Sequence, residues 1–259
     1  MSESGEFSTQ VVRIEVNENV LYSVTDSTGN HLGYFDNEEL VGVITFGWGT
    51  RPKHTIQKLF PELDTKAYYE IGKMCLDDKL PRNSESQLLS SAISWLKENT
   101  KIKYLFTWAD GLVGKPGYVY QSANFLDGGF SFTDTYVSET SEKIHPRKIQ
   151  GQIPNTKNRK VGMRPNPEQL KKLKLSRVKG KQFRYIYPMN KKFRRWLKKS
   201  TTEWTTNYPK DKDLLWKVKG PNDVGYTITN KMPFDLSKEY VYNKKNIESF
   251  KRGTLSEFL

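Results

Sequence analysis

Apolar positions change their spacing several times along the first 140 residues, and each change marks an element. VVRIEV (11–16) and NVLYSVTD (19–26) read as short strands, and LGYFDNEELVGVITFGWGT reads as a hairpin that turns at DNEE. TIQKLF carries one or two helical turns, and AYYEIGKMCL (67–76) alternates as a strand. In NSESQLLSSAISWLKENT the spacing becomes helical. Leu88, Leu89, Ala92, Ile93 and Leu96 share a face, and Ser84 with Gln87 has the form of a capping box, so a helix is predicted over 84–98. KIKYLFTWAD (101–110) has the pattern of a buried strand ending on Asp110. Glycines 111, 114 and 117 then form a loop, a short helix covers roughly 117–124, and FSFTDTYVS is a strand. This order predicts a mixed sheet with helices packed on it, an α/β or α+β domain of about 140 residues.

Past Ser141 the texture changes. HPRKIQGQIPNTKNRKVGMRPNP has the composition of a long loop or arm. PEQLKKLKL reads as a short basic helix with Pro at its start. KQFRYIYPM places Phe183, Tyr185 and Tyr187 on one face of a strand, and NKKFRRWLKKSTTEW reads as a second basic helix carrying Phe193, Trp196 and Leu197. The last fifty residues yield no assignment. Two domains are expected, a packed one over 1–142 and a basic extension over 143–259.

Charge sharpens that division. Residues 1–142 carry 12 Lys and Arg against 20 Asp and Glu, whereas residues 143–200 carry 20 against 1. Nucleic acid explains so basic a segment best, because each phosphate neutralised releases counterions; a solvated tail or a contact with an acidic protein is the plainer alternative. MSESGEFSTQ lacks the basic start and apolar run of a signal peptide, and LVGVITFGWG is too short to span a bilayer, so an intracellular setting without membrane contact is expected. Cys75 is the only cysteine, which excludes an internal disulfide and a cysteine-clustered zinc site.

Two segments carry candidate chemistry. In PRNSES, Arg82, Asn83, Ser84 and Ser86 stand at the start of a helix, where backbone N–H groups attract phosphate. In GYVYQSANF, Tyr120 opens a Tyr-x-x-x-Asn-Phe run ending on Asn124 and Phe125, with Tyr118 about 200° away around the helix. Asp110 sits at the carboxyl end of a strand, where open α/β sheets collect ligands. His54 is a candidate base or metal ligand. Plainer roles also fit: Tyr120 as a core tyrosine, Asp110 as a loop cap, His54 as a solvated side chain, and Cys75 as a small buried hydrophobe.

The Pro-x-x-Ser-x-Ser loop before a helix, followed by a strand and then Tyr-x-x-x-Asn-Phe, resembles the GNAT acyltransferases. That likeness implies a GNAT-like mixed central sheet flanked by helices, with acetyl-CoA as cofactor. Where that family has glycines this loop has serines, and Pro81 stands where Gln or Arg is usual. The ordered series GVITFG, PRNSES, TWAD and GYVYQSANF, over roughly 38–150, is similar to the Mom-type DNA modification proteins of bacteriophages and prophages, a divergent GNAT branch. The resemblance implies transfer of a carbamoylmethyl-type group to the exocyclic amine of adenine in DNA, protecting phage DNA from restriction in the cytoplasm of the host bacterium. It assigns Arg82, Asn83, Ser84, Ser86 and Asn124 to the cofactor, and Tyr120 and Asp110 to catalysis; His54 joins the catalytic candidates on its residue type alone, and iron or another metal stays open. DNA would be held by Arg147, Lys148, Arg159, Lys160, Lys181, Arg184, Tyr185, Lys191, Arg194 and Arg195, with Trp48, Trp108, Tyr185 and Trp196 available for stacking on a base. The alternatives are an acetyltransferase acting on a small amine or protein lysine, and a non-catalytic DNA-binding protein.

Overall fold

The computed structural model describes residues 10–16, 19–26, 29–36, 39–49, 53, 55–146 and 165–238. The chain divides into two compact units. The first takes the described residues up to Gly111, with Lys115–Ser131 and Gln182–Asp213; the second takes Leu112–Gly114, Phe132–Lys181 and the described residues from Leu214 onward. This division does not coincide with the border expected at residue 142, because the stretch 182–213 joins the first unit.

The first unit is a mixed sheet in the order β1 (Gln10–Val16), β2 (Asn19–Asp26), β3 (Gly29–Asp36), β4 (Glu39–Gly47), β5 (Tyr68–Leu76), β6 (Tyr104–Asp110) and the second half of β9 (Ser176–Pro188). Neighbours are antiparallel except β5 and β6, which run parallel. Asp36 pairs with Glu39, so the hairpin turns where its polar DNEE stretch predicts. A parallel pair needs a long crossover, and α2 (Ser84–Asn99) supplies it between β5 and β6. All five apolar positions that define its face are buried, joined by Trp95. The other sheet face packs a cluster that includes Tyr68, Tyr104, Phe106, Leu126 and Ile186 with Ile56 and Leu59 of α1 (Ile56–Leu59). The expected mixed α+β sheet with helices on it is therefore the observed architecture.

In the second unit the later half of β7 (Leu126–Val137) pairs with β8 (Lys143–Ile144). The first half of β9 pairs with β10 (Trp216–Lys219), which pairs with β11 (Thr227–Thr229). A small core forms from Tyr136 and Leu175 with Ile144, Leu170 and Leu173. The Arg177 guanidinium donates from Nε (2.8 Å) and Nη2 (2.5 Å) to Asp134 Oδ2. The predicted basic helix is α4 (Pro167–Lys172), closed by a reciprocal Asn166–Gln169 capping box.

Several expectations are corrected. Ser84 is not a cap: Asn83 precedes the helix in the left-handed region (φ 75°), which Asn tolerates, and the Ser84 hydroxyl donates to Pro81 O at 2.7 Å. The helix expected over 190–204 is only α5 (Lys191–Trp196) plus a 3-10 turn over Leu197–Lys199, because Ser200 and Thr201 turn their hydroxyls onto the Leu59 carbonyl at the end of α1. Cys75 is exposed, since alternation along β5 puts it on the side of Lys73.

The short helix α3 (Tyr118–Ser122) begins after Gly117, whose φ is 98°. A Cβ there would lie 2.6 Å from Tyr185 Cε2 and 2.8 Å from Ala109 Cβ. Gly117→Ala therefore combines left-handed strain with overpacking, and is expected to cost about 2–4 kcal/mol in urea unfolding; an unchanged midpoint would contradict this seating of α3.

Candidate active site

β5 and β6 are paired for only three residues. Tyr68, Tyr69 and Glu70 face Tyr104, Leu105 and Phe106; beyond them β5 runs on to Leu76 against β4, and β6 runs on to Asp110 against β9. Two parallel neighbours thus part at their carboxyl ends, the place where α/β sheets bind ligands. Each strand then leads toward a helix that carries a candidate segment.

At the start of α2 a cavity of about 470 Å³ has Met74, Leu76, Asp77, Arg82, Asn83 and Glu85 among its walls. Arg82 and Asn83 are exposed. Ser84 is buried with its hydroxyl spent on Pro81, and Ser86 Oγ lies 2.8 Å from Ser122 Oγ of α3. That serine pair joins the two candidate segments. Asn124 follows α3 in the left-handed region (φ 61°) and is exposed.

α3 presents Tyr118 outward and Tyr120 inward, as their spacing predicts. The Tyr120 ring lies 5.6 Å from both Phe125 and Tyr185. Burial pushes its hydroxyl above the usual phenol range, and a hydrogen bond with the Thr107 side chain partly offsets this. The group is a proton donor at neutral pH. Next to it, buried Gln121 donates from Nε2 to Tyr185 Oη and Pro209 O, both at 3.0 Å, while its Oε1 accepts from Lys210 Nζ at 3.0 Å. Lys210 also lies over the Tyr118 ring at 5.4 Å. The sequence reading missed Thr107, Gln121 and Lys210; the positions that pair them are far apart in the chain and no local pattern marks them.

The opposite face of the parting strands is acidic and aromatic. Alternation places Glu70 with Tyr68, and Trp108 and Asp110 with Phe106. Glu70 packs against Gly49, where a Cβ would sit 2.2 Å from Oε2, and burial raises its carboxyl pKa. Trp108 meets Phe106 edge to face at 5.2 Å on this face, while Trp48, more than a third exposed, meets Tyr69, whose side chain alternates away from Glu70, at 5.7 Å. Asp110 is exposed at the strand end. Glu70 was also missed, its sequence context being that of any polar strand position.

Other candidates fall apart from this centre. Tyr185 is fully buried and donates its hydroxyl hydrogen to Pro116 O, so it is a core residue with no free face for a base. Arg184 is half-buried; its Nη2 donates to Phe130 O at 3.0 Å and its charge faces Asp127. Lys191, Arg194 and Arg195 are exposed on α5, and Lys103 and Lys192 lie over the ring of Trp196 at 5.6 and 5.2 Å. Lys181 belongs to the second unit. His54, Arg147, Lys148, Arg159 and Lys160 lie outside the described residues. Among the described residues no group of three or more His, Cys, Asp and Glu could hold a metal, and no helix is long and apolar enough to cross a membrane.

A family model described as the Mom protein family matches residues 15–210. The chain is similar to a methylcarbamoylase, mom, of Escherichia phage Mu, with 32% identity over 166 residues that cover 64% of this chain and 66% of that protein. The chain thus spans slightly less than two thirds of that relative. Among solved structures, a GNAT-family acetyltransferase from Bacillus anthracis aligns at 11% identity and a TM-score of 0.32 over 61% of this chain and 66% of the other. One from Elizabethkingia anophelis with acetyl-CoA bound aligns at 15% and 0.31 over 62% and 77%. At such scores neither carries an argument about this site.

Asp127 gives a pH test. It is buried, and burial pushes its carboxyl up to about 6 against the opposing Gly129 N–H bond and Arg184 charge. A carboxyl raised on folding favours the native state while protonated, and that contribution is lost as pH rises from about 4 through about 6. Asp127→Asn should therefore gain on the unaltered protein by on the order of 2–3 kcal/mol between pH 4 and pH 7.5 in urea unfolding; a difference independent of pH would contradict the assignment.

Proposed function

The chain belongs to the Mom protein family, and we propose that it modifies DNA, transferring a carbamoylmethyl-type group to the exocyclic amine of adenine and so protecting phage DNA from restriction. The observation that supports this reading is the parting of β5 and β6, with the Glu70 carboxyl on the sheet face shared by Trp108 and Asp110 and the Tyr120 phenol, bonded to Thr107, on the opposite face.

Adenine's exocyclic nitrogen shares its lone pair with the ring, so it attacks a carbon only as it loses a proton. Glu70, made a stronger base by burial, accepts that proton as the new N–C bond forms. The bond between the donor carbon and its leaving group breaks, and Tyr120 returns a proton to the departing atom. Asp110, at the mouth, accepts a hydrogen bond from the second hydrogen of the amine. The basic and aromatic surface of α5, with Lys191, Arg194, Arg195 and Trp196, holds the DNA backbone.

An acyl-CoA donor is what the family resemblance implies, and its diphosphate would meet Arg82 and the first-turn amides of α2. That corner fits the group poorly: Ser84 and Ser86 are committed within the protein, and Asp77, Asp78 and Glu85 line the same cavity as Arg82. The steps assigned to Glu70, Tyr120 and Asp110 do not depend on coenzyme A, and they use no metal.

Tyr120→Phe and Glu70→Gln should each lower the modification rate by about 10²–10⁴-fold, the usual reach of general acid–base catalysis, while duplex DNA binds as before in anisotropy titrations. Full activity in both variants would sink the site assignment.

A further inference from the structure

A second cavity, of about 660 Å³, lies along residues 194–206, a stretch with no assigned role beyond the basic residues of α5. Leu126 and Trp204 supply apolar wall, Arg194 and Lys198 supply cations, and Thr202 and Thr206 add hydroxyls. Glu203, an exposed carboxylate, also lines it; two cations against one anion leave the walls net positive. A volume of this size is within the range of pockets that enclose whole small ligands.

The pocket is built rather than incidental. Ser200 and Thr201 donate their hydroxyls to Leu59 O at 2.8 and 2.9 Å, which ties the segment to α1. Thr205 and Asp127 exchange both backbone hydrogen bonds, at 2.8 and 2.9 Å. The Trp204 indole N–H donates to Ser200 Oγ at 3.0 Å, and the ring rests on bare backbone, since a Cβ on Gly128 would lie 2.2 Å from it. A partly exposed indole is thereby held in one orientation above a cationic rim. The same ring lies 6.5 Å from Phe106, whose backbone pairs with Glu70 and whose ring touches Trp108. The cavity therefore adjoins the acidic face of the parting strands.

Resting on the reading above, we propose that this cavity receives the adenine nucleotide once it has swung out of the duplex, with Trp204 stacking on the base and Arg194 and Lys198 holding a flanking phosphate. An amine inside a paired, stacked base is out of reach of any side chain, so the nucleotide must leave the helix and be caught. An aromatic face accepts the base, and cations accept the phosphate that travels with it. Free nucleotides, including the adenosine bisphosphate portion of a coenzyme, share this chemistry, and the test separates them.

Anisotropy titrations of the full-length protein compare fully paired duplexes with otherwise identical duplexes in which one adenine faces an abasic site, in several sequence contexts. Because pairing no longer opposes extrusion, the unaltered protein should bind the second set about tenfold tighter or more. Trp204→Leu and Lys198→Ala should each remove most of that gain; the lysine is exposed, so its variant keeps the core intact. Persistence of the gain in both variants overturns the pocket assignment and leaves the DNA-modification reading standing, as does modified adenine without any gain in the unaltered protein. Saturable binding of adenosine 3′,5′-bisphosphate that is lost in both variants, with no gain for unpaired adenine, overturns it in favour of a coenzyme site. Absence of both the gain and any modified adenine removes the proposal together with the reading beneath it.

Discussion

Two parallel strands that stop pairing after three residues set the geometry of the whole centre. Had β5 and β6 stayed paired to their ends, their backbone groups would satisfy one another and no ligand could reach between them. Because they part after Glu70 and Phe106, each strand is supported from its outer side, β5 by β4 and β6 by β9. The gap is thus open without leaving either strand unpaired along its length. Glu70 sits at the last paired position and packs on the backbone of Gly49, so its carboxyl is fixed where the gap begins.

The helix that carries Tyr120 has only five residues, too short to hold itself by helical propensity. It is held by close packing and buried hydrogen bonds instead. Gly117 lets the chain pass against Tyr185 and Ala109, and Gln121 spends its amide on Tyr185 and Pro209 while taking Lys210 in return. Tyr185 belongs to this frame: its ring flanks Tyr120 and its hydroxyl is spent on Pro116. An aromatic in a basic stretch invites a nucleic-acid reading, but the period-2 pattern around it equally describes a central strand, and burial decides between the two.

Local patterns recovered what local patterns encode. The apolar face of α2, the turn at Asp36–Glu39, the opposed directions of Tyr118 and Tyr120, and the strand ending on Asp110 follow from spacing alone. Resemblance to a family brought Tyr120 and Arg82 into view. What stayed hidden depends on pairs distant in the chain. Glu70 matters because β6 leaves β5 beside it, and Gln121 because Lys210 and Pro209 return to α3 some ninety residues later. The Ser84 capping box failed for a local reason, since Asn83 could take the left-handed turn and leave Ser84 inside the helix. The STTEW run has the pattern of the end of a basic helix, yet Ser200 and Thr201 bind Leu59 and Trp204 settles on Gly128.

The roles proposed for Glu70, Asp110 and Tyr120 all require adenine in DNA as the substrate. Nucleosides digested from plasmid DNA of cells expressing the unaltered protein, resolved by mass spectrometry against cells lacking it, give the most direct answer. A heavier deoxyadenosine found only with the protein is the predicted result. Soluble, folded protein with every nucleoside at its ordinary mass would contradict it.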